Sequence, residues 1–165
     1  MSGEAPGART GLASVLDRLL DDRPDQRWDR PQSPAEAMTH LRAAVHRDIE
    51  ALLNARRPWR SVPASWPLLR TSPLGFGIPD FTAGAFNDPR EREQLRLEVE
   101  EAIRRFEPRL SQLEVHVAED VLPLRSTLTL RIDALLQIQP QPQPISFDTL
   151  VDTTTANVTV RPAQG

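Results

Sequence analysis

The chain of 165 residues is long enough to bury one hydrophobic core but hardly two, so a single domain with flanking segments is expected. A net charge of -3 and a pI near 5.6 argue against nucleic acid or an anionic membrane surface as a partner. The absence of cysteine excludes a disulfide framework, a thiolate metal site and a cysteine nucleophile. No signal-peptide pattern opens the sequence, and no apolar run reaches the roughly 20 residues that span a bilayer, so a cytoplasmic location without membrane insertion is expected.

Residues 1–33 are expected to form an N-terminal arm outside the main domain. Leucine and valine side chains recur there at helical spacing, flanked by Asp17, Asp21 and Asp22, and a proline-containing linker follows. A helix this short is unstable alone, so it docks either on its own domain or on a partner, and the sequence favours neither. The apolar side chains assigned to partner binding are Val15, Leu16, Leu19 and Leu20.

The main domain opens with a long helix whose start and end are both marked. Ser33, Pro34 and Glu36 form a capping-box pattern with proline at the first helical position. We predict its end at Arg56 and Arg57, because cations suit the negative end of the helix dipole and a proline follows them. The apolar face of this helix comprises Met38, Leu41, Val45, Ile49, Leu52 and Leu53.

A second helix is followed at once by a strand. Asp88 and Pro89 suit the first positions of a helix, and Pro108 ends it because proline disfavours helical geometry in the residue before it. After this proline the apolar period changes from three or four residues to two, as expected where a strand begins. The resulting helix-to-strand corner carries a charged pair, Glu107 and Arg109.

Alternating apolar residues predict further strands after this corner. A long strand is predicted within 127–138, a third within 145–151 and a short last one within 158–160. Helices followed by an antiparallel sheet predict an α+β domain over residues 34–162, with two main helices packed on a small sheet of three to four strands. Residues 163–165 are assigned to a tail.

Side chains that hold metals or cofactors do not form a recognisable pattern in this sequence. His40 and His46 are six residues apart, so they lie on separate faces of one helix and cannot chelate a single ion. Gly75 and Gly77 lack the third glycine and the preceding strand of a phosphate-binding loop. We therefore expect neither a metal site nor a cofactor.

Carboxylates are the remaining candidates for catalysis. Cleavage of a glycosidic bond needs two acids, one of them with a raised pKa, and Glu107 is a candidate for this role. Arg109 lies two residues away, and a nearby cation lowers the pKa of a carboxyl group, which is the wrong direction for a general acid. A fixed ion pair at the corner, or one that meets a neighbouring subunit, is favoured, with a muramidase as the alternative.

Four stretches of the chain resemble the TssE family, the small baseplate wedge subunits of type VI secretion systems. They lie at residues 14–19, 53–57 and 77–81 and at the EPRL sequence formed by Glu107, Pro108, Arg109 and Leu110. This family is similar in turn to the wedge protein of contractile-tail phages that is often described as lysozyme-like. The order and spacing of the four stretches carry the resemblance, which covers about residues 12–160.

The resemblance implies a structural subunit without enzymatic activity. Such a subunit joins TssF and TssG, with TssK further out, and offers a platform on which the TssB/TssC sheath begins to polymerise. The four EPRL residues are then partner-binding residues. We also expect the region 145–160 to leave a sheet edge open, whose unpaired N–H and C=O groups accept a strand from a sheath subunit.

Overall fold

The computed structural model describes residues 25, 33–57, 65–81, 88–118, 127–139, 141–152, 155 and 157–163. The apolar stripe of the arm, from Val15 to Leu20, lies outside these residues, so its helix and its binding role stay predictions. The described α-helices are α1 (Pro34–Asn54) and α2 (Pro89–Phe106). The strands are β1 (Arg56–Arg57), β2 (Ile78–Pro79), β3 (Leu110–Val117), β4 (Thr127–Leu136), β5 (Gln143–Asp152) and β6 (Val158–Pro162).

An antiparallel sheet of four strands in the order β3-β4-β5-β6 forms the centre of the domain. Burial alternates along each long strand, because successive side chains point to opposite faces of a sheet. The apolar faces of α1 and α2 meet this sheet, and Val45, Ile49, Leu95, Ile103 and Leu130 are completely buried between the layers. The predicted α+β class with two helices on a small antiparallel sheet is therefore confirmed.

The capping box at the start of α1 is present as predicted. The backbone N–H of Glu36 donates to the hydroxyl oxygen of Ser33 (3.3 Å), and the backbone N–H of Ser33 donates to the carboxylate of Glu36 (2.8 Å). These two bonds satisfy N–H groups that have no partner within the helix.

The end of α1 differs from the prediction. The helix stops at Asn54, and Arg56 and Arg57 form β1, which pairs in parallel with β2. Gly77 makes this pairing possible: it has a φ of +102°, and a Cβ there would lie 2.4 Å from the carbonyl oxygen of Ala55. The prediction that the two arginines sit in the last turn of the helix is wrong, because this long-range pairing outweighs the local preference.

An irregularity near the start of β3 shifts its register with β4 between Ser111 and Glu114. Gln112 lies in this irregularity with a φ of 48°, a backbone conformation that residues other than glycine rarely adopt. The shift lets the strand that leaves the corner between α2 and β3 join the sheet with Leu113 and Val115 facing the core.

The edge formed by β6 is not open as expected. Residues 157 and 163 bond to β5, so the backbone groups of Val158 and Val160 point away from the sheet. Side chains of α1 bind those groups, and β5 itself lies between β4 and β6. The prediction of a free edge within 145–160 is therefore wrong at Val158 and Val160.

Four hydrogen bonds from α1 close this edge. The side-chain amide of Asn54 donates to the carbonyl of Val158 (2.8 Å) and accepts from its N–H (3.0 Å). The Nε2–H of His46 donates to the carbonyl of Val160 (2.8 Å), and the carboxylate of Glu50 accepts from the Val160 N–H (3.3 Å). Helix α1 thus supplies the partners that a neighbouring strand supplies inside a sheet.

Candidate functional site

The candidate site is the corner at which α2 ends and β3 begins. The backbone N–H of Glu107 still bonds to the carbonyl of Ile103 (2.8 Å), so Glu107 caps the helix, and Pro108 turns the chain. The N–H of Leu110 then donates to the carbonyl of Glu107 (3.2 Å), which closes the turn. On the far side of the turn, the carbonyl of Arg109 accepts from the N–H of Gln137, at the end of β4 (2.8 Å).

Glu107 and Arg109 form a double hydrogen-bonded ion pair across the turn. The Nε–H of Arg109 donates to Oε1 of Glu107 (2.6 Å), and its Nη2 donates to Oε2 (2.5 Å). The backbone N–H of Arg109 lies 3.3 Å from the same Oε1. Glu107 is only 3% exposed, so both oxygens of a buried carboxylate are bound by a single neighbouring residue. The predicted corner ion pair is present.

Asp48 of α1 completes the site, and sequence reasoning missed it. Its Oδ2 accepts from Nη2 of Arg109 (2.6 Å), while its Oδ1 accepts from the neighbouring Arg47 (2.8 Å). Hydrogen bonds from Arg109 to Glu107 and then to Asp48 raise the pKa of Arg109 above its usual range, against the opposing effect of burial. No short-range pattern links positions 48 and 109, since 61 residues separate them and only the fold brings them together.

Of the four EPRL residues, one is buried, two are partly buried and one is exposed. Glu107 is buried, and the side chain of Arg109 is only 13% exposed. Leu110 is partly buried and packs against the hydrophobic core. Pro108, at the tip of the turn, is exposed. The ion pair therefore acts mainly as a clamp that fixes the turn, and Pro108 is the residue of the four that offers most of its surface to another molecule.

The geometry of this corner does not favour acid catalysis by Glu107. A general acid carries a proton on an oxygen that the substrate reaches, whereas both oxygens of Glu107 accept hydrogen bonds from Arg109. The second carboxylate of the site, Asp48, binds the same guanidinium. Both carboxylates of the site are thus bound to one cation, an arrangement that suits an ion pair and not the proton donor of a glycosidase.

A second set of ion pairs ties the segment between α1 and α2 to α2 itself. The guanidinium of Arg57, which is 8% exposed, donates to the carboxylate of Glu98 (2.7 Å). Arg70, in a short 3-10 helix at Pro67–Thr71, pairs with Glu101 (2.7 Å), which also binds Arg105. These contacts hold the segment between α1 and α2 against the outer face of α2.

Outside the corner, the described part of the chain shows no arrangement of side chains typical of a metal site. Among the residues that the structure describes, no group of three or more His, Asp or Glu side chains is arranged to hold a metal ion. His46 binds the backbone of β6, and His116 lies 3.4 Å from Glu114. Within the same ranges, no helix is both long and apolar enough to cross a membrane.

Comparison with protein families gives one match. The family model for the baseplate wedge protein gp25 matches residues 39–141, which include most of α1, all of α2, the corner and strands β3 and β4. A search of curated proteins returned no match. The matched range covers more than half of the chain, and it confirms the resemblance to a baseplate wedge subunit that the EPRL sequence and three further stretches indicate. The chain belongs to the baseplate wedge protein gp25 family.

Proposed function

We propose that this protein is the TssE-type wedge subunit of a type VI secretion baseplate. In this role it binds TssF and TssG, with TssK further out, and provides the platform on which the TssB/TssC sheath starts to polymerise. It works in the cytoplasm as an assembly component without enzymatic activity. The family match over residues 39–141 carries the proposal, because the members of this family are baseplate wedge proteins.

The corner between α2 and β3 supports this role through its rigidity. A subunit that sets the geometry of an assembly needs contact residues whose position does not change between the free and the bound state. The ion pair between Glu107 and Arg109, with Asp48 behind it, holds Pro108 at the tip of a turn that is bonded to both α2 and β4. In our proposal Pro108 contacts the neighbouring subunit, and the clamp fixes its position.

The N-terminal arm is the second contact in this proposal. The apolar side chains of Val15, Leu16, Leu19 and Leu20 supply burial area, and the proline-containing linker lets the arm reach a partner beyond its own domain. The arm and the corner lie on different parts of the chain, so their contributions to partner binding are measured separately.

Co-expression with TssF and TssG tests the proposal. The complex mass is measured by size exclusion with light scattering for the intact chain, for a chain that lacks residues 1–24, and for Pro108→Arg. We expect a stoichiometric complex with the intact chain and its loss with either variant, because each change removes one contact surface. Thr159→Arg, at an exposed position on β6, is the matched control and is expected to keep the complex.

The outcomes separate the parts of the proposal. No complex with the intact folded chain contradicts the TssE-type role itself. A complex that survives Pro108→Arg as well as Thr159→Arg contradicts the role of the corner and leaves binding to the arm. Release of fragments from peptidoglycan by the intact chain, abolished in Glu107→Gln, would instead establish the muramidase alternative.

A further inference from the structure

A cavity of about 640 Å³ lies beside the place where β6 ends. Ile145 and Phe147 of β5 contribute buried apolar side chains to it, and Pro162 of β6 forms part of its wall. Two residues of α1, Arg42 and His46, also line it. Pockets that bury most of a bound ligand have volumes of about 300–1,000 Å³, so this cavity has room for several side chains.

Two arginines line the cavity. Arg42 is exposed and makes no hydrogen bond or ion pair with the described residues, and Arg131 of β4 reaches Asp133 only at 3.7 Å. The described residues that line the cavity include Arg42 and Arg131 and no Asp or Glu. Apolar side chains together with two arginines fit a segment that combines aliphatic side chains with acidic ones.

Residues 12–22 of the same chain have this chemistry. Their apolar stripe is flanked by three acidic residues, Asp17, Asp21 and Asp22, and by one basic residue, Arg18. No other stretch that precedes α1 combines apolar side chains at helical spacing with acidic flanks. The segment therefore complements the cavity in both hydrophobicity and charge.

The chain is long enough to bring this segment to the cavity. Ten residues, 23–32, connect it to Ser33 and span up to about 33 Å when extended. Arg42 lies eight residues into α1, about 12 Å from the start of the helix. The exposed side chains of Trp66 and Leu68 offer another apolar area, but the arginine next to them, Arg70, is already bound to Glu101 (2.7 Å).

We propose that residues 12–22 occupy this cavity in the isolated subunit. The leucine and valine side chains pack on Ile145 and Phe147, and the aspartates lie beside Arg42 and Arg131. The stripe is the one that the proposed function assigns to partner binding, so seating in the cavity and binding to a partner exclude each other. The subunit thereby keeps an apolar segment out of water until assembly displaces it.

Engineered cysteine pairs test the seating in the purified full chain, which contains no native cysteine. Leu19→Cys is combined with Ala43→Cys, at an exposed position that lines the cavity, and disulfide formation is followed under mild oxidation. The matched control combines Leu19→Cys with Leu97→Cys, at an exposed position on α2 that does not line the cavity. We expect an intramolecular disulfide in the first pair and little in the second.

Charge reversal tests the predicted electrostatic contact. Arg42→Glu in the first pair is expected to lower the disulfide yield about fivefold, since it replaces attraction by repulsion. Arg90→Glu makes the same change of charge at an exposed position outside the cavity and is expected to leave the yield unchanged. Circular dichroism and the unfolding midpoint show that each variant remains folded.

Equal yields in the two cysteine pairs, or a yield that Arg42→Glu does not lower in a folded variant, overturn the proposal. Disulfides that form only between two molecules also overturn it and assign the cavity to the arm of a second copy. No partner protein is present in these measurements, so a negative result does not contradict the proposed baseplate role. A failed co-expression with TssF and TssG, in turn, does not contradict the proposed binding of residues 12–22 in the cavity.

Discussion

Helix α1 joins the sheet at two places, and the two junctions are of different kinds. At the corner, Asp48 binds Arg109 through a charged hydrogen bond of 2.6 Å, and Arg109 in turn holds the buried Glu107. At the β6 edge, Asn54 and its neighbours on α1 bind only backbone N–H and C=O groups. The corner joins three charged groups that depend on one another, whereas the edge is held by separate contacts.

This difference predicts how each junction responds to damage. A buried charge that loses its partner keeps its full cost of desolvation, and both oxygens of the buried Glu107 accept from Arg109. Backbone groups at a sheet edge can exchange a side-chain partner for water. We therefore expect the corner to be sensitive to single substitutions and the edge to be tolerant of them.

The largest effect is expected for Arg109→Met. It leaves the carboxylate of Glu107 buried without its cation, which costs about 3–5 kcal/mol of unfolding free energy. Urea unfolding measures the change. Arg131→Met, whose side chain is 46% exposed and lies 3.7 Å from Asp133, is the matched control and is expected to cost less than about 1 kcal/mol.

A double variant shows whether the unpaired charge of Glu107 causes the loss of stability in Arg109→Met. In Glu107→Gln/Arg109→Met the buried negative charge is absent, so we expect the double variant to be more stable than Arg109→Met alone. A double variant that is as unstable as, or less stable than, the single one would show that the clamp acts through shape and hydrogen-bond geometry. Equal small losses for Arg109→Met and Arg131→Met would contradict the contrast between the corner and an exposed pair.

A smaller effect is expected at the β6 edge from Asn54→Ala. The change removes both hydrogen bonds to Val158 and is expected to cost about 1–2 kcal/mol. Hydrogen exchange of the Val158 amide is expected to become faster, since its N–H then faces water. Asn157→Ala, an exposed position one residue earlier, is the control for a change of side chain near this strand.

Removal of the Asn54 side chain also bears on self-association, because it leaves the Val158 backbone groups without their partner. Free N–H and C=O groups on an edge strand accept a strand from another molecule, so Asn54→Ala is expected to form dimers at high protein concentration where the parent chain does not. Light scattering measures this. An Asn54→Ala variant with unchanged exchange at Val158 would show that the amide is protected by burial and not by Asn54.

The sequence predicts those parts of the fold that depend on neighbouring residues. The capping box at Ser33, the start of α2 after Asp88 and the alternation in β4 follow from short spacing, and each is present. The pair of Glu107 and Arg109 was predictable for the same reason, since the two charged residues lie only two positions apart.

Contacts between distant positions were not predictable from spacing. Asp48 meets Arg109 across 61 residues, and Asn54 meets Val158 across 104, so no local period reports either contact. The same limit explains the two errors. The pairing of Arg56 with Ile78 ends α1 early, and the side chains of α1 cover an edge that alternation alone would leave open.

The smallest effect is expected on α2, where Glu100 forms ion pairs with two arginines of the same helix. Glu100 accepts from Arg104 (2.5 Å) and Arg96 (2.6 Å). Burial raises the pKa of Glu100, but the hydrogen bonds from Arg104 and Arg96 outweigh it, so its pKa in the folded chain lies below the ordinary value of 4.5.

The lowered pKa of Glu100 fixes the sign of its pH dependence. A carboxyl group with a lower pKa in the folded state stabilises the fold above the unfolded value of 4.5 and loses this contribution as the pH falls through its folded pKa. Glu100→Gln is therefore expected to cost less than about 1 kcal/mol at pH 7 and to approach the parent chain in stability in acid. Urea unfolding between pH 7 and acid, repeated in about 1 M salt where exposed charges are screened beyond about 3 Å, measures both the size and the origin of the difference. A difference in unfolding free energy between Glu100→Gln and the parent chain that persists in acid and in salt would show that the side chain of Glu100 contributes through packing and not through its charge.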